Sequence, residues 1–256
     1  RYEGVLHESI GTKTFSPPTL INGDYWIIHG TTGNRSRNPN KYADDAEVLK
    51  NALEDPKCPE HLKGRYAFYC ASSYRDSGNH WEALEWYEKC IKMNGWKQEK
   101  YIACIHAAKI CNKLLNKSSA LQWYCCASKY DSRRVESVMG IVNCIENDCS
   151  DELKHSVLTS IRLHNYYDLD KDHLLFANVI DFNVYYINML LHSCGKVCDY
   201  ETGAEALAIQ LDRCKTIETR HLRDALINFV WFCSRTDNKT LRQSYTRNRS
   251  MLVKMG

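Results

Sequence analysis

The chain has 256 residues, of which 44% are apolar and 25% charged, a composition typical of a folded globular protein. Lysine and arginine number 34 against 31 aspartate and glutamate, so the net charge of +3 gives no electrostatic reason to expect a nucleic-acid partner. No stretch approaches the roughly 18 consecutive apolar residues of a membrane span, so no membrane insertion is expected.

The chain contains 13 cysteines. It is long and shows no export signal, so we expect reduced thiols and a cytoplasmic location, which for a viral protein would be the host cytoplasm. Several cysteines occupy apolar helix positions, where a free cysteine packs as a small hydrophobe: Cys70, Cys90, Cys104, Cys111 and Cys126. The spacings of Cys144 to Cys149 and of Cys194 to Cys198 do not fit a structural zinc site, so none is predicted there.

Residues 1–42 combine turn signals with short β-type runs. Pro17-Pro18 and Asn22-Gly23 are turn signals, and the run from Tyr25 to Ile28 favours a strand, so this segment is predicted to be irregular or β. From Lys41 onward proline and glycine become rare and apolar residues recur at helical spacing. The rest of the chain is therefore predicted to be mainly α.

An internal repeat is the strongest pattern in the helical part. Its first copy, RYAFYCASSYRDSGNHWEALEWYEKCIKMNG, places small, aromatic and turn residues at the positions typical of a helical hairpin of about 34 residues. These six residues are Ala71, Tyr74, Gly78, Ala83, Tyr87 and Cys90. Small residues let the two helices of a hairpin approach closely, and aromatic residues fill the space to the next hairpin.

A second copy follows in YIACIHAAKICNKLLNKSSALQWYCCASKYDS. Its equivalent residues are Ala108, Ala120, Tyr124 and Ala127, and three inserted residues account for the wider spacing between the copies. Residues 43–132 therefore resemble tetratricopeptide-type hairpins. The predicted fold is mainly α, a tetratricopeptide-like α-solenoid of helical hairpins that follows the irregular or β segment.

The remaining sequence departs from the repeat. Residues 133–234 contain further helical patterns, which predict divergent helical repeats or a cap. Among them, the stretch from Gly203 to Cys214 resembles the second helix of a hairpin. Residues 235–256 carry six lysine and arginine residues against Asp237 alone, and they are predicted to form a solvated basic tail.

Four tryptophans, Trp81, Trp86, Trp96 and Trp123, lie within the repeats. Aromatic faces can stack on sugars, but at helical spacing they are more often packing residues. We therefore expect these tryptophans to be packed.

A candidate reactive pair, His7 and Glu8, ends the apolar run in GVLHE. An imidazole beside a carboxylate can ligate a metal or move a proton. A neighbouring histidine and glutamate are also common by chance, so this pair needs support from its surroundings.

Three motifs together supply such support, in the order GVLHE, YWIIHGTTGNRSRNPNKYADDAEVLKNALED and RYAFYCASSYRDSGNHWEALEWYEKCIKMNGW. Residues 1 to about 132 thereby resemble the carboxyl-terminal part of family-2 glycosyltransferases (GT-A type) that carry a tetratricopeptide extension. In that family the His-Glu pair closes the catalytic domain and the hairpins follow.

The resemblance implies transfer of a sugar from a nucleotide-sugar donor, with Mn²⁺ or Mg²⁺ at the leaving diphosphate. It would place His7 near the metal and Glu8 on the acceptor side, where Glu8 would assist deprotonation as the catalytic residue. For His29, Arg35 and Arg37, in the turn that follows, structural hydrogen bonds are favoured over phosphate contacts.

The sequence departs from the family because no nucleotide-binding α/β domain with an Asp-x-Asp metal site precedes Arg1. Neither Asp44-Asp45 nor the set Asp168, Asp170 and Asp172 replaces it, since the latter lacks the glycine and glutamate of a calcium loop. We therefore expect the chain to be part of a longer enzyme and to hold no cofactor by itself.

Two functions stay open at this point. In the first, the chain is the helical portion of a glycosyltransferase, and its repeats position a protein or glycan acceptor or a partner. In the second, it is a free-standing protein-interaction module without catalysis. Homo-oligomerisation through the repeats is compatible with either.

Overall fold

The computed structural model describes residues 2–7, 9–10, 37–145, 149–161, 163, 174–178, 181–213 and 219–255. This part of the chain is mainly helical, as predicted, and several pairs of consecutive helices pack against one another. It divides into two compact units, Arg1–Ala103 and Cys104–Gly256. The limits at residues 42, 132 and 234 that the sequence pattern suggests stay predictions.

The first unit begins with a small β-hairpin and continues in helices. Its elements are β1 (Tyr2–Glu3), β2 (Ser9–Ile10), α1 (Lys41–Glu54), α2 (Glu60–Asp76), α3 (His80–Lys92) and the start of α4 (Lys97–Lys113). The strands pair antiparallel, with Tyr2 opposite Ile10. Helix α2 packs against both α1 and α3. Gly64 permits close packing on α2, because a side chain there would meet the backbone of Asn94.

The second unit contains the remaining helices. They are α5 (Lys117–Tyr130), α6 (Val135–Ile145), α7 (Asp151–Thr159), a π-helix (Asp181–Tyr186), α8 (Ile187–Val197), α9 (Tyr200–Asp212), α10 (Thr219–Cys233) and α11 (Lys239–Met255). Helix α8 packs against α7 and α9, and α9 also packs against α10 and α11. Residues 133–234, for which further helical patterns are predicted, thus contain helices whose apolar faces share one core.

The small and aromatic residues of the repeat lie in the protein interior. Tyr87 and Ala83 of the first copy are fully buried, and so are Ala120 and Ala127 of the second. Tyr124 packs so closely on Gly140 of α6 that any side chain at residue 140 would meet its ring. The repeat pattern therefore identified core positions correctly.

Three helix-to-helix turns share one backbone conformation. Gly78, Leu115 and Cys198 adopt positive φ angles of 87°, 57° and 60° at the ends of α2, α4 and α8. In each turn the next residue donates its N–H to a carbonyl five positions earlier. These hydrogen bonds join Asn79 to Tyr74 at 2.9 Å, Asn116 to Cys111 at 2.9 Å and Asp199 to Cys194 at 3.0 Å. Such bonds satisfy the last carbonyls of a helix.

The carboxyl-terminal segment differs from the solvated tail that its charge predicts. Helix α11 occupies most of it and packs against α9, with Leu241 and Ser244 buried. Asp212 of α9 accepts hydrogen bonds from Ser244 at 3.0 Å and from Arg247 at 2.7 Å. The basic residues of α11 therefore lie beside a narrow buried face that contains Leu241 and Ser244. Counting charges along the sequence does not reveal this face. No helix in the described ranges is both long enough and apolar enough to cross a membrane.

Candidate functional site

His7 lies in the loop between β1 and β2. Its backbone φ of 52° is in the left-handed region, and Gly4 in the same loop has a φ of 119°. A non-glycine residue in this region costs about 1 kcal/mol or more, so neighbouring contacts must hold it there. The contacts around His7 come from α2.

The ring of His7 stacks on the ring of Tyr69. The ring centroids are 3.9 Å apart and the planes differ by 8°. The Arg65 guanidinium donates two hydrogen bonds to the His7 carbonyl, from Nε at 3.1 Å and from Nη2 at 2.8 Å. It also lies 5.0 Å from the centroid of Tyr69. Two residues one helical turn apart therefore fix both the ring and the backbone of His7.

A buried carboxylate orients Arg65 in turn. Arg65 Nη1 lies 2.9 Å from Glu99 Oε1, and the Glu99 side chain is only 4% exposed. Burial raises the pKa of Glu99 above its usual value, and the charge of Arg65 opposes that rise. Because a buried carboxylate without a partner is costly, this pair resists separation. Glu99 thereby holds the guanidinium in place for the His7 carbonyl.

Two further hydrogen bonds attach the loop to α2. The N–H of Val5 donates to the hydroxyl of Tyr66 at 3.1 Å, and Glu3 Oε2 lies 3.2 Å from His61 Nε2. Tyr66 is buried, whereas the second pair is exposed to solvent. Residues 3–7 are therefore docked on α2, the first helix of the repeat.

Of the other residues predicted from the resemblance, Arg37 lies within the described part of the chain. Arg37 is exposed just before α1. Glu8, His29 and Arg35 lie outside the described residues, and so do Asp168, Asp170 and Asp172. The predicted pairing of His7 with Glu8 therefore stays a prediction.

Two cavities beside α8 were not predicted from the sequence. One, of about 380 Å³, lies between α8 and α10 and includes Gly195, Asn228 and Trp231 in its lining. The other, of about 400 Å³, lies between α8 and residues of α6 and α7, including Asn143 and Lys154. Gly195 was a possible signal, because its lack of a side chain leaves room beside Trp231.

Three residues of α8 line both cavities: Asn188, His192 and Lys196. They offer an amide, an imidazole and an ammonium group to a ligand. Nearby apolar side chains are unusually exposed, at 51% for Tyr185 and 59% for Ile227. This face of the second unit, which we term the α8 face, combines hydrogen-bonding groups, positive charge and apolar surface.

Neither a comparison with protein-family models nor a search of curated proteins finds a match for this chain. Function is therefore inferred from the contacts of His7 and from the α8 face.

The divalent metal that the resemblance implies can be tested against the geometry of His7. Stacking on Tyr69 uses the face of the imidazole, whereas a metal binds a ring nitrogen in the plane of the ring. The observed contact is therefore compatible with one metal ligand from His7. No group of three or more potential metal ligands in the described ranges includes His7, so the remaining ligands would have to come from other residues.

Proposed function

We propose that this chain is the helical-repeat portion of a family-2-type glycosyltransferase that uses a nucleotide-sugar donor. The observation that carries the proposal is the docking of the His7 loop on α2 through Arg65 and Tyr69. In the resemblance these are two adjoining motifs, the end of the catalytic domain and the first hairpin. If the end of the catalytic domain and the first hairpin both border the active site, the two motifs must contact each other directly.

The hairpins in this proposal form a tetratricopeptide-like α-solenoid. Its support is the common backbone conformation of the turns at Gly78, Leu115 and Cys198. In each turn the next residue is the N-cap of the following helix: Asn79, Asn116 and Asp199. The third turn extends the pattern to α8 and α9, where the sequence repeat is weak. The repeats would hold the acceptor or a partner, since such arrays present extended binding surfaces.

Two tryptophans offer a surface for a glycan acceptor. Trp81 is 70% exposed and Trp96 is 45% exposed, although packing was expected for both. An exposed indole can stack on the apolar face of a sugar ring. A metal bound near His7 would neutralise the departing diphosphate, while Arg65 and Tyr69 would keep the imidazole positioned.

The test uses the full-length gene product with Mn²⁺ and follows UDP release from UDP-sugars. Arg65→Ala and Tyr69→Leu should lower the rate at least about ten-fold, because small displacements at a reacting centre have large effects. Lys92→Ala, which removes an exposed ion pair with Glu88 on α3, is the matched control and should leave the rate unchanged. Equal rates for all four proteins would contradict a role for the docked loop.

The α8 face favours a second candidate function, a protein-interaction module without catalysis. Lys196 lines both cavities, whereas Lys154 lines one of them and is paired with Asp151 at 3.5 Å. The exposed Ile227 and Val230 offer apolar contacts. These groups are complementary to an acidic peptide with an apolar anchor. In a fluorescence-anisotropy titration, Lys196→Glu should weaken binding of such a peptide more than ten-fold. Binding that is insensitive to Lys196→Glu would contradict this second function.

A further inference from the structure

Three potential metal ligands converge where α7, α8 and α9 meet. They are His155 on α7, Cys194 on α8 and Asp199 at the start of α9, and one ligand atom from each lies within 4.8 Å of the other two. In a tetrahedral zinc site with bonds of about 2.0–2.3 Å, neighbouring ligand atoms are about 3.3–3.7 Å apart. Small side-chain movements would therefore bring the three atoms to bonding distance of one ion.

Neighbouring groups orient two of these ligands. His155 Nε2 lies 3.1 Å from Asp199 Oδ2, and His155 Nδ1 lies 3.3 Å from the hydroxyl of Ser193. With a metal on Nε2, the proton of the neutral ring is on Nδ1 and can be donated to Ser193. Hydrogen bonds of this kind are a regular feature of histidine ligands.

Asp199 is held in a corresponding way. Its Oδ1 accepts the N–H of Thr202 at 3.2 Å as the N-cap of α9, so its Oδ2 is the oxygen that faces His155. Burial alone would raise the pKa of Asp199, but the hydrogen bonds from Thr202 and His155 outweigh it and lower that pKa. An aspartate is ionised at neutral pH in any case, so the orientation of Oδ2 is what makes it available to a cation.

Cys194 is fully buried, and burial together with the nearby Asp199 raises the pKa of its thiol to about 12. A cysteine thiol of ordinary pKa, about 8.5, is already mostly protonated at neutral pH. A bound metal ion would replace that proton, so one proton would leave the protein for each metal ion bound. A set of imidazole nitrogen, thiolate sulfur and carboxylate oxygen suits Zn²⁺, whereas Mg²⁺ and Ca²⁺ prefer oxygen ligands.

We propose that His155, Cys194 and Asp199 form a Zn²⁺ site that joins α7, α8 and α9. A water molecule completes the tetrahedron from the solvent side, since the Asp199 side chain is 35% exposed. The site does not depend on the proposed glycosyltransferase function. Cysteine spacing in the sequence does not reveal this site, because only one of its three protein ligands is a cysteine.

Cobalt is the first probe, because a thiolate bound to Co²⁺ gives a charge-transfer absorption band in the near ultraviolet. Titration of the metal-free chain should saturate at one Co²⁺ per chain, and Zn²⁺ should then remove the band. Cys194→Ser should abolish the band, and Asp199→Asn should weaken Co²⁺ binding at least ten-fold. Cys198→Ser is the matched control, since this exposed cysteine lies one helical turn away and its loss should change nothing.

A second measurement decides the question if Cys194→Ser does not fold. Calorimetric titration of the wild-type chain with Zn²⁺, in two buffers of different ionisation enthalpy, counts the protons released. The site predicts about one proton per ion near pH 7. Loss of the cobalt band in Cys198→Ser, an unchanged band in Cys194→Ser, or binding without proton release would each overturn the proposal.

Discussion

Leu115 occupies the same place in its helical turn as Gly78 does in the preceding one. Both residues have a positive φ, 57° for Leu115 and 87° for Gly78, and both precede an asparagine that begins the next helix. Leu115 is 89% exposed, so its side chain gains no packing in return for this conformation. Leucine is thus unfavourable at the positive φ of the second turn. We infer that the helices on either side of the turn hold Leu115 in this conformation.

This relationship predicts opposite effects for two substitutions. Leu115→Gly should raise the free energy of unfolding by about 1 kcal/mol, because glycine adopts positive φ without steric cost. Gly78→Ala should lower the free energy of unfolding by about 1 kcal/mol, because alanine is strained at positive φ. An added Cβ at residue 78 would meet no other atom within 4 Å, so no steric clash adds to this effect. Urea unfolding followed by circular dichroism measures both. Changes of the same sign would contradict the shared turn.

Gly64 supports a different prediction, which concerns space and not backbone conformation. Gly64→Ala should destabilise the protein by about 1–3 kcal/mol, because the new methyl group would displace the backbone near Asn94. Gly95→Ala is a suitable control, since its added Cβ would meet only ordinary contacts beginning at 3.5 Å. Thermal unfolding of the two variants should therefore differ clearly, and equal stabilities would show that α2 is less closely packed than described.

The pair of Arg65 and Glu99 predicts a strong coupling in stability. Arg65→Ala should cost about 3 kcal/mol, because it leaves a buried carboxylate without its partner. Glu99→Gln in the Arg65→Ala background should restore part of that loss by removing the buried charge. The comparison variant is Lys92→Ala, whose exposed pair should contribute less than about 1 kcal/mol. The free energy of unfolding is measured in urea for Arg65→Ala, for Glu99→Gln and for the double variant. If the effects of Arg65→Ala and Glu99→Gln simply add in the double variant, the coupling is contradicted.

Asp199 predicts a specific dependence of stability on pH in the metal-free protein. Its pKa is lower in the folded state than in the unfolded chain, where an aspartate titrates near pH ~3.9. The stabilisation is therefore fully present above that pH and is lost as the pH falls through the lowered value. Asp199→Asn keeps an N-cap residue but removes the titration.

The difference in unfolding free energy between the wild type and Asp199→Asn should shrink as the pH falls below about pH 4. Its size should be below about 1 kcal/mol, because the carboxylate is partly exposed. Chemical unfolding at several pH values in the presence of a chelator gives this difference. A difference that grows on acidification would contradict the direction of the shift.

The repeat pattern predicts the buried positions of these helices well, because its spacing reflects packing directly. Ala83 and Tyr87 are four residues apart and share the buried face of α3, as helical periodicity requires. The turn at Cys198 was harder to recognise, because a cysteine stands where glycine is usual. Phe176 shows a limit of periodicity: the apolar spacing from Phe176 to Leu191 favours a single helix face, whereas Phe176 lies in a turn and is 64% exposed.

The candidate sites depend on contacts between distant residues, which a single sequence does not encode visibly. Arg65 lies 58 positions from His7 in the chain, and His155 lies 44 positions from Asp199. No local pattern marks either pair. The role of His7 stays a prediction that rests on the pair with Glu8 and on a resemblance, whereas the residues that hold His7 on α2 are apparent from the structure.

The central claim is that the helical chain belongs to a nucleotide-sugar glycosyltransferase. It is tested most directly by titrating UDP-sugars and GDP-sugars, with Mn²⁺ present, into this 256-residue chain and into the full-length product of its gene. Binding heat and nucleoside diphosphate release are recorded for both. The proposal predicts that the full-length protein binds a donor and releases the diphosphate, whereas this chain alone does neither. Absence of binding and release in both proteins would contradict it.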